Sequence, residues 1–264
     1  FWLDTEQFEG CENITRLVIP ASVAFVTLNQ NFSGCTNLAS IEVAVDNENF
    51  TSIDGVLYNK AVTTLLSCPP GRSAGLEIPP TVTSINNGQF TGLSGCNRLT
   101  AVSIPSGLVE LYSAYPLTLL PALEMISVAS GHPDYRSEDG LLLSVDGETL
   151  VVCPAGRSVL RIPASVTAIL PTFSQLSLLE RIEVSAGNAT YAARDGVLYN
   201  RELTSIIGCP GGIRGRITIP ATVKNISQYT HFRGRANLEW IDVDPESPYY
   251  ESHDGLLYQS SGVV

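Results

Sequence analysis

The fold class this sequence predicts is a mostly β repeat solenoid, and three observations predict it. First, nearly the same stretch occurs four times: IEVAVDNENFTSIDGVLYN from Ile41, ISVASGHPDYRSEDGLLLS from Ile126, IEVSAGNATYAARDGVLYN from Ile182 and IDVDPESPYYESHDGLLYQ from Ile241. Second, each lead Ile precedes an Asp-Gly pair by 13 residues, at Asp54, Asp139, Asp195 and Asp254. In the first three copies a Cys-Pro then follows that Asp by 14 residues, at Cys68, Cys153 and Cys209. Third, a shorter apolar-x-Ile-Pro motif interleaves, ending at Pro20, Pro79, Pro105, Pro163 and Pro220. A register of this length marks an array of stacked units, whose long face points to binding rather than chemistry.

Each element follows from its local pattern. The Ile-Pro stretches, such as Leu160-Arg161-Ile162-Pro163, alternate with period two and predict short strands with one face inward. Proline ends the strand because it cannot donate to a ladder. The lead-Ile stretches, such as Leu38-Ala39-Ser40-Ile41-Glu42-Val43, predict a second kind of strand. Each is followed by an insertion of about 25 residues in which two apolar stretches flank Asp-Gly, a strong hairpin signal. A third stretch, Thr64-Leu65-Leu66-Ser67-Cys68 in the first copy, returns the chain to the core. Every long module should therefore carry a small three-stranded meander, packed down by the aromatic four residues before the Asp: Phe50, Tyr135, Tyr191 or Tyr250. Successive Asp-Gly pairs lie 85, 56 and 59 residues apart, the excess being one short coil around Val102-Ser103-Ile104-Pro105. Nine core strands result, which at the usual inter-strand spacing make a face about 40 Å long.

Composition bounds the function. The chain has 264 residues, 44% hydrophobic and 16% charged, the profile of a folded protein. Its net charge of −11 argues against nucleic acid as a partner. No apolar run is long enough to span a bilayer, so no membrane insertion is expected from this segment. Phe1-Trp2-Leu3-Asp4 does not read as a signal peptide. The chain begins and ends inside a repeat, so residues 1–264 are expected to form one solenoid domain truncated at both ends, a fragment of a longer protein.

The six cysteines are expected to be buried thiols. Cys11, Cys35 and Cys96 each follow a Gly, while Cys68, Cys153 and Cys209 share one repeat position. There is no CxxC and no Cys/His pair at ligand spacing, so neither a metal nor a cofactor is expected. His132, His231 and His253 share no repeat position and have no nucleophile motif beside them, so no catalytic residue is assigned and the chain is not read as an enzyme. The Asp-Gly pairs lack the ligand series of a calcium loop. The small acidic cluster of Asp242, Asp244 and Glu246 means little in so acidic a chain. Sequons at Asn13, Asn31, Asn49, Asn188 and Asn225 matter only if the source is eukaryotic.

These motifs resemble the BspA-like class of leucine-rich repeat proteins. The likeness is carried by Cys96-Asn97-Arg98-Leu99-Thr100-Ala101-Val102-Ser103-Ile104-Pro105, by Phe32-Ser33-Gly34-Cys35-Thr36-Asn37-Leu38 and by the DGVLYN module. It covers nearly the whole chain, departing at Tyr115-Pro116-Leu117-Thr118-Leu119-Leu120-Pro121, which lacks the usual Phe and Cys. The resemblance implies a curved solenoid with short irregular turns, an extracellular place on a bacterial surface, and a role in adhesion or ligand capture. It also implies that the outward side chains of the concave strands form the binding surface.

Read in order, those outward positions include Arg16, Val18, Ser40, Glu42, Glu77, Ala101, Ser103, Met125 and Ser127, then Arg161, Arg181, Glu183, Arg216, Thr218, Trp240 and Asp242. The second group gathers arginines on an acidic chain around an exposed Trp240, the composition of a protein-binding patch. The bland alternative is a solvated strand face with cross-strand ion pairs. The expected function is thus a non-enzymatic surface module, monomeric, binding a host or bacterial surface protein through Arg161, Arg181, Glu183, Arg216, Thr218, Trp240 and Asp242. The alternatives are a glycan-binding module, with Trp240 stacking a sugar ring, and a stalk that spaces another domain from the cell.

Overall fold

The computed structural model describes residues 1–27, 32–86, 91–109, 115–171, 173, 176–226, 232 and 234–260. The chain divides into two compact units, Phe1–Asp146 and Gly147–Val264. Unit one holds β1 (Trp2–Asp4), β2 (Arg16–Ile19), β3 (Phe25–Thr27), β4 (Ser40–Val43), β5 (Phe50–Ile53), β6 (Val56–Asn59), β7 (Thr64–Ser67), β8 (Leu76–Glu77), β9 (Ser84–Ile85), β10 (Ala101–Ile104), β11 (Met125–Val128), β12 (Tyr135–Glu138) and β13 (Leu141–Ser144). Unit two holds β14 (Thr149–Val152), β15 (Val159–Ile162), β16 (Ala168–Ile169), β17 (Arg181–Val184), β18 (Tyr191–Arg194), β19 (Val197–Asn200), β20 (Ile206–Gly208), β21 (Gly215–Ile219), β22 (Leu238–Val243), β23 (Tyr250–His253) and β24 (Leu256–Gln259). Among the described residues helix is confined to single turns such as α1 (Tyr115–Thr118), which lies in the divergent coil, carries the buried Leu117 and precedes the buried Leu120. Each unit is a β-solenoid, in keeping with the sequence.

Nine strands of the lead-Ile and Ile-Pro kinds are present among the described residues, five in unit one and four in unit two. They pair in parallel: β2 with β4, β8 with β10 and β11, β15 with β17, and β21 with β22. Period two holds: in β10, for example, Val102 and Ile104 are buried and Ala101 and Ser103 are not. Each strand-ending Pro opens a tight turn whose carbonyl accepts from a residue three further on, at Val23, Val82, Leu108, Val166 and Val223. That residue is buried in all five coils.

The insertions are antiparallel hairpins, β5–β6, β12–β13, β18–β19 and β23–β24, with β7 and β20 as third strands in the first and third copies. Both turn residues have positive φ, 50° and 75° at Asp54 and Gly55 and 50° and 78° at Asp195 and Gly196. Asp tolerates the first position, and Gly takes the second without steric cost. The aromatics do pack the hairpins down. Phe50 lies against the first core cluster, and the Tyr191 hydroxyl donates to the Thr167 carbonyl at 3.0 Å.

One expectation about the ladder needs correction. It is not one unbroken row, because each Asp-Gly tip turns back onto the lead strand of its own module. The Gly carbonyl accepts from the lead Ile N–H at 2.8 Å (Gly55, Ile41), 3.0 Å (Gly140, Ile126), 2.9 Å (Gly196, Ile182) and 3.1 Å (Gly255, Ile241). In unit one no strand pairing joins β4 to β8, and in unit two none joins β17 to β21. A tip stands where another strand was expected.

The coils are also tied by buried polar side chains. Asn47 donates to the carbonyls of Pro20 (2.8 Å) and Val23 (2.9 Å) in the preceding coil and accepts from the N–H groups of Asn49 (2.9 Å) and Phe50 (2.8 Å). Asn188 repeats this with Pro163, Val166, Thr190 and Tyr191. In the second copy His132 takes the place: Nδ1 accepts from Asp134 and Tyr135, and Nε2 faces the Leu108 carbonyl at 3.1 Å. Because Nδ1 accepts twice, the proton sits on Nε2. All six cysteines are free thiols and all but Cys11 are buried, as the sequence predicts.

Removing this polar tie has a definite cost. Asn47→Ala is expected to lower the unfolding free energy by roughly 3 kcal/mol, since it orphans several buried backbone groups at once. His132→Asn restores the residue used by the first and third copies and is expected to leave stability unchanged or raise it. Urea denaturation of both variants checks this.

Candidate binding face on the strand ladder

The seven outward residues singled out from the sequence all lie in unit two, and the structure brings them together in two groups. The first is built on β15 and β17, whose parallel register sets Arg161 beside Glu183 and Val159 beside Arg181. The Glu183 carboxylate accepts from Arg161 at 2.9 Å and from Arg181 at 3.0 Å. The hydrogen bond from Arg161, opposed by desolvation and aided by the charge of both arginines, holds the Glu183 carboxyl below the usual carboxylate range. A neighbouring pair, Arg214 and Glu180 at 2.8 Å, extends the row; alternation alone did not single it out.

The second group is built on β21 and β22. The Arg216 guanidinium lies 5.1 Å from the Trp240 ring centroid and 3.2 Å from the Asp242 carboxylate, which also accepts from the Trp240 indole N–H at 2.9 Å. Trp240 is half-buried, not exposed as the sequence suggested. Register puts Arg216 on one flank of the ring and the Asp254-Gly255 tip on the other. A methyl group added at Gly255 would meet the ring at 2.7 Å. The Arg216 guanidinium and the Gly255 backbone thus both lie close to the indole. Thr218 contributes chiefly through its backbone N–H, which donates to the Asp195 carboxylate at 2.9 Å.

Asp195 links the groups. Its turn bonds β17 through Gly196 and β21 through the Asp195 side chain. A shallow depression of about 340 Å³ lies here, lined by Arg181, Ile182, Glu183, Val184, Ala193, Asp195 and Gly196. Asp195 reads from the sequence as a turn residue only; its repeat position predicts the turn but not the contact with the next ladder pair. A cross-strand pair of the same kind occurs in unit one, where Arg16, diagonal to Glu42 in the register, bonds it and holds its carboxyl below the usual range, the same direction as for Glu183. Also in unit one, Arg72 bonds both the carboxylate and the carbonyl of Asp54.

The arrangement offers fixed charges and a clamped aromatic. It has no converging nucleophile and base. No helix among the described residues is long and apolar enough to cross a membrane.

Comparison with known proteins places the repeat. Residues 3–67 and 72–116 match six copies of the BspA type leucine rich repeat region. No curated protein matches the chain. Among solved structures, a leucine-rich repeat protein from Eubacterium ventriosum is similar at 19% identity over 87% of this chain and 50% of that one, with a TM-score of 0.33. The pneumococcal vaccine antigen PcpA is similar at 17% identity over 86% of this chain and 49% of its own, with a TM-score of 0.40. A leucine rich cell surface protein from Faecalibacterium prausnitzii is similar at 17% identity, covering 87% and 79% of the two chains, with a TM-score of 0.33. The chain thus spans about half the length of the first two.

Two outcomes follow from the geometry. The contribution of Glu183 is present above the ordinary glutamate pKa and is lost as pH falls through its lowered folded value. Glu183→Gln should therefore melt below the parent at neutral pH, and the two melting curves should converge in acid. Gly255→Ala, forced into positive φ and against the indole, should cost at least about 1 kcal/mol. It should also red-shift Trp240 fluorescence, read in a Trp2→Phe background.

Proposed function

From a chain that carries BspA-type leucine-rich repeats, we propose a non-enzymatic extracellular module at a cell surface that adheres to a protein partner through the outward strand face of unit two. The observation that supports this is the pair of clamped groups, Arg161–Glu183–Arg181 and Arg216–Trp240–Asp242. Side chains already held by one another lose little freedom on binding, and Arg and Trp are the residue types that anchor protein interfaces. The Arg216 guanidinium and the Gly255 backbone close to the Trp240 ring favour a protein over a glycan as the partner. A stalk is the second reading, favoured by the same ion pairs, because they satisfy each other without a ligand.

Biolayer interferometry of the purified chain against host matrix proteins, bacterial surface proteins and polysaccharides tests the proposal. The expected result is saturable binding to a protein, weakened at least about tenfold by Arg181→Glu combined with Trp240→Ala. A clean negative from folded protein would overturn it in favour of the stalk.

A further inference from the structure

One backbone position in unit two differs from its counterparts in the other long modules. In three copies, the Val that stands two residues after the lead Ile donates its N–H to a serine hydroxyl on the hairpin. Val43 donates to Ser52 at 3.2 Å, Val128 to Ser137 at 3.0 Å and Val243 to Ser252 at 3.0 Å. Each serine stands two residues before the Asp of its turn. In the third copy that place is held by Ala193, whose methyl group accepts nothing.

The Val184 N–H nevertheless points the same way. Arg181 and Ser185 donate toward β15, to the carbonyls of Ser158 at 3.3 Å and Ile162 at 3.0 Å, while Ile182 donates to Gly196 on the opposite side at 2.9 Å. Successive N–H groups of a strand alternate, so Val184 shares the side of Ile182. No strand pairs with β17 on that side. Val184 and Ala193 both line the depression of about 340 Å³ described above. Ala193 is exposed, where Ser52, Ser137 and Ser252 are half-buried. The N–H that a serine covers in the other copies therefore opens into this depression.

The surroundings limit what fits there. An open N–H calls for an acceptor. The Asp195 carboxylate, also in the lining, takes one N–H from Thr218 at 2.9 Å and can accept a further donor. An anion meets the carboxylates of Glu183 and Asp195, and a cation meets the Val184 N–H and Arg181. A neutral group that both accepts and donates suits the two partners at once, and the repeat itself uses a hydroxyl. We propose that a protein partner completes the position with a serine or threonine hydroxyl, accepting from the Val184 N–H and donating to Asp195. This rests on the reading of the unit-two face as a protein-binding surface and adds the side-chain class that the face selects.

Amide NMR of the isotope-labelled chain, titrated with N-acetyl-serinamide and, as control, N-acetyl-alaninamide, tests this. The Val184 cross-peak is expected to move saturably with the first and not with the second. Ala193→Ser supplies the hydroxyl from within the chain. It should slow exchange of the Val184 amide to the rate of Val43 and Val128, and the response to serinamide should be lost. Ala193 is exposed, so the fold should survive the change. A parent Val184 amide that already exchanges as slowly as Val43 would overturn the proposal. So would a cross-peak that serinamide does not move, which leaves the N–H to water, or one that alaninamide moves equally. A larger response to methyl glucoside than to serinamide would overturn it in favour of a sugar hydroxyl. The titration needs no adhesion partner, so its failure leaves a positive interferometry result standing, and a negative there leaves the Val184 response standing.

Discussion

The arrangement of both units depends on one hydrogen bond, made four times: the lead Ile N–H to the Gly carbonyl of its own module's Asp-Gly turn. It brings each hairpin tip into the ladder, where a strand would otherwise lie. The turn then serves two partners. Its Gly carbonyl satisfies the strand before it, and its Asp reaches toward the strand after it, as Asp195 does to Thr218 and Asp54 to Arg72. At three of the tips, Gly55, Gly196 and Gly255, a Cβ would touch the side chain of Ser40, Arg181 or Trp240 on the lead strand. Positive φ at both turn positions is thus a condition for the ladder as well as for the hairpin.

Much of this was legible in the sequence because repetition multiplies weak signals. Period-two alternation located the ladder strands, Asp-Gly located the hairpins, and the shared position of Cys68, Cys153 and Cys209 indicated thiols in the core. What escaped was anything that depends on which coil lies against which. Asn188 reads as a sequon, yet its side chain is buried and occupied by four backbone groups. His132 shares no repeat position with the other histidines, yet its imidazole takes the place of the Asn47 amide, accepting from two backbone N–H groups and facing one carbonyl of the preceding coil. Asn31 and His231 lie outside the described residues. Arg235 occupies the place that Cys35 and Cys96 hold in their coils, and it donates to the Cys209 carbonyl at 2.8 Å. None of these equivalences is visible to a pattern that matches residue types.

The candidate face illustrates the same divide. Alternation along each strand groups Arg161, Arg181, Glu183, Arg216, Thr218, Trp240 and Asp242 as outward positions. It could not show that the arginines would be engaged by Glu183 and Asp242, or that Gly255 would lie close to the indole. Those are cross-strand facts, set by register. They turn an open basic patch into a row of clamped groups, suited to presenting a rigid polar surface rather than a pocket.

The claim on which this account rests is that the Asp-Gly tips are part of the ladder, and amide hydrogen exchange followed by NMR tests it most directly. If the tips are bonded as described, the amides of Ile41, Ile126, Ile182 and Ile241 exchange as slowly as those of the ladder interior, since each opens only when its module does. If those four amides exchange at the rate of exposed turn residues, the tips are not seated, and the segmented ladder and the face built on it are wrong.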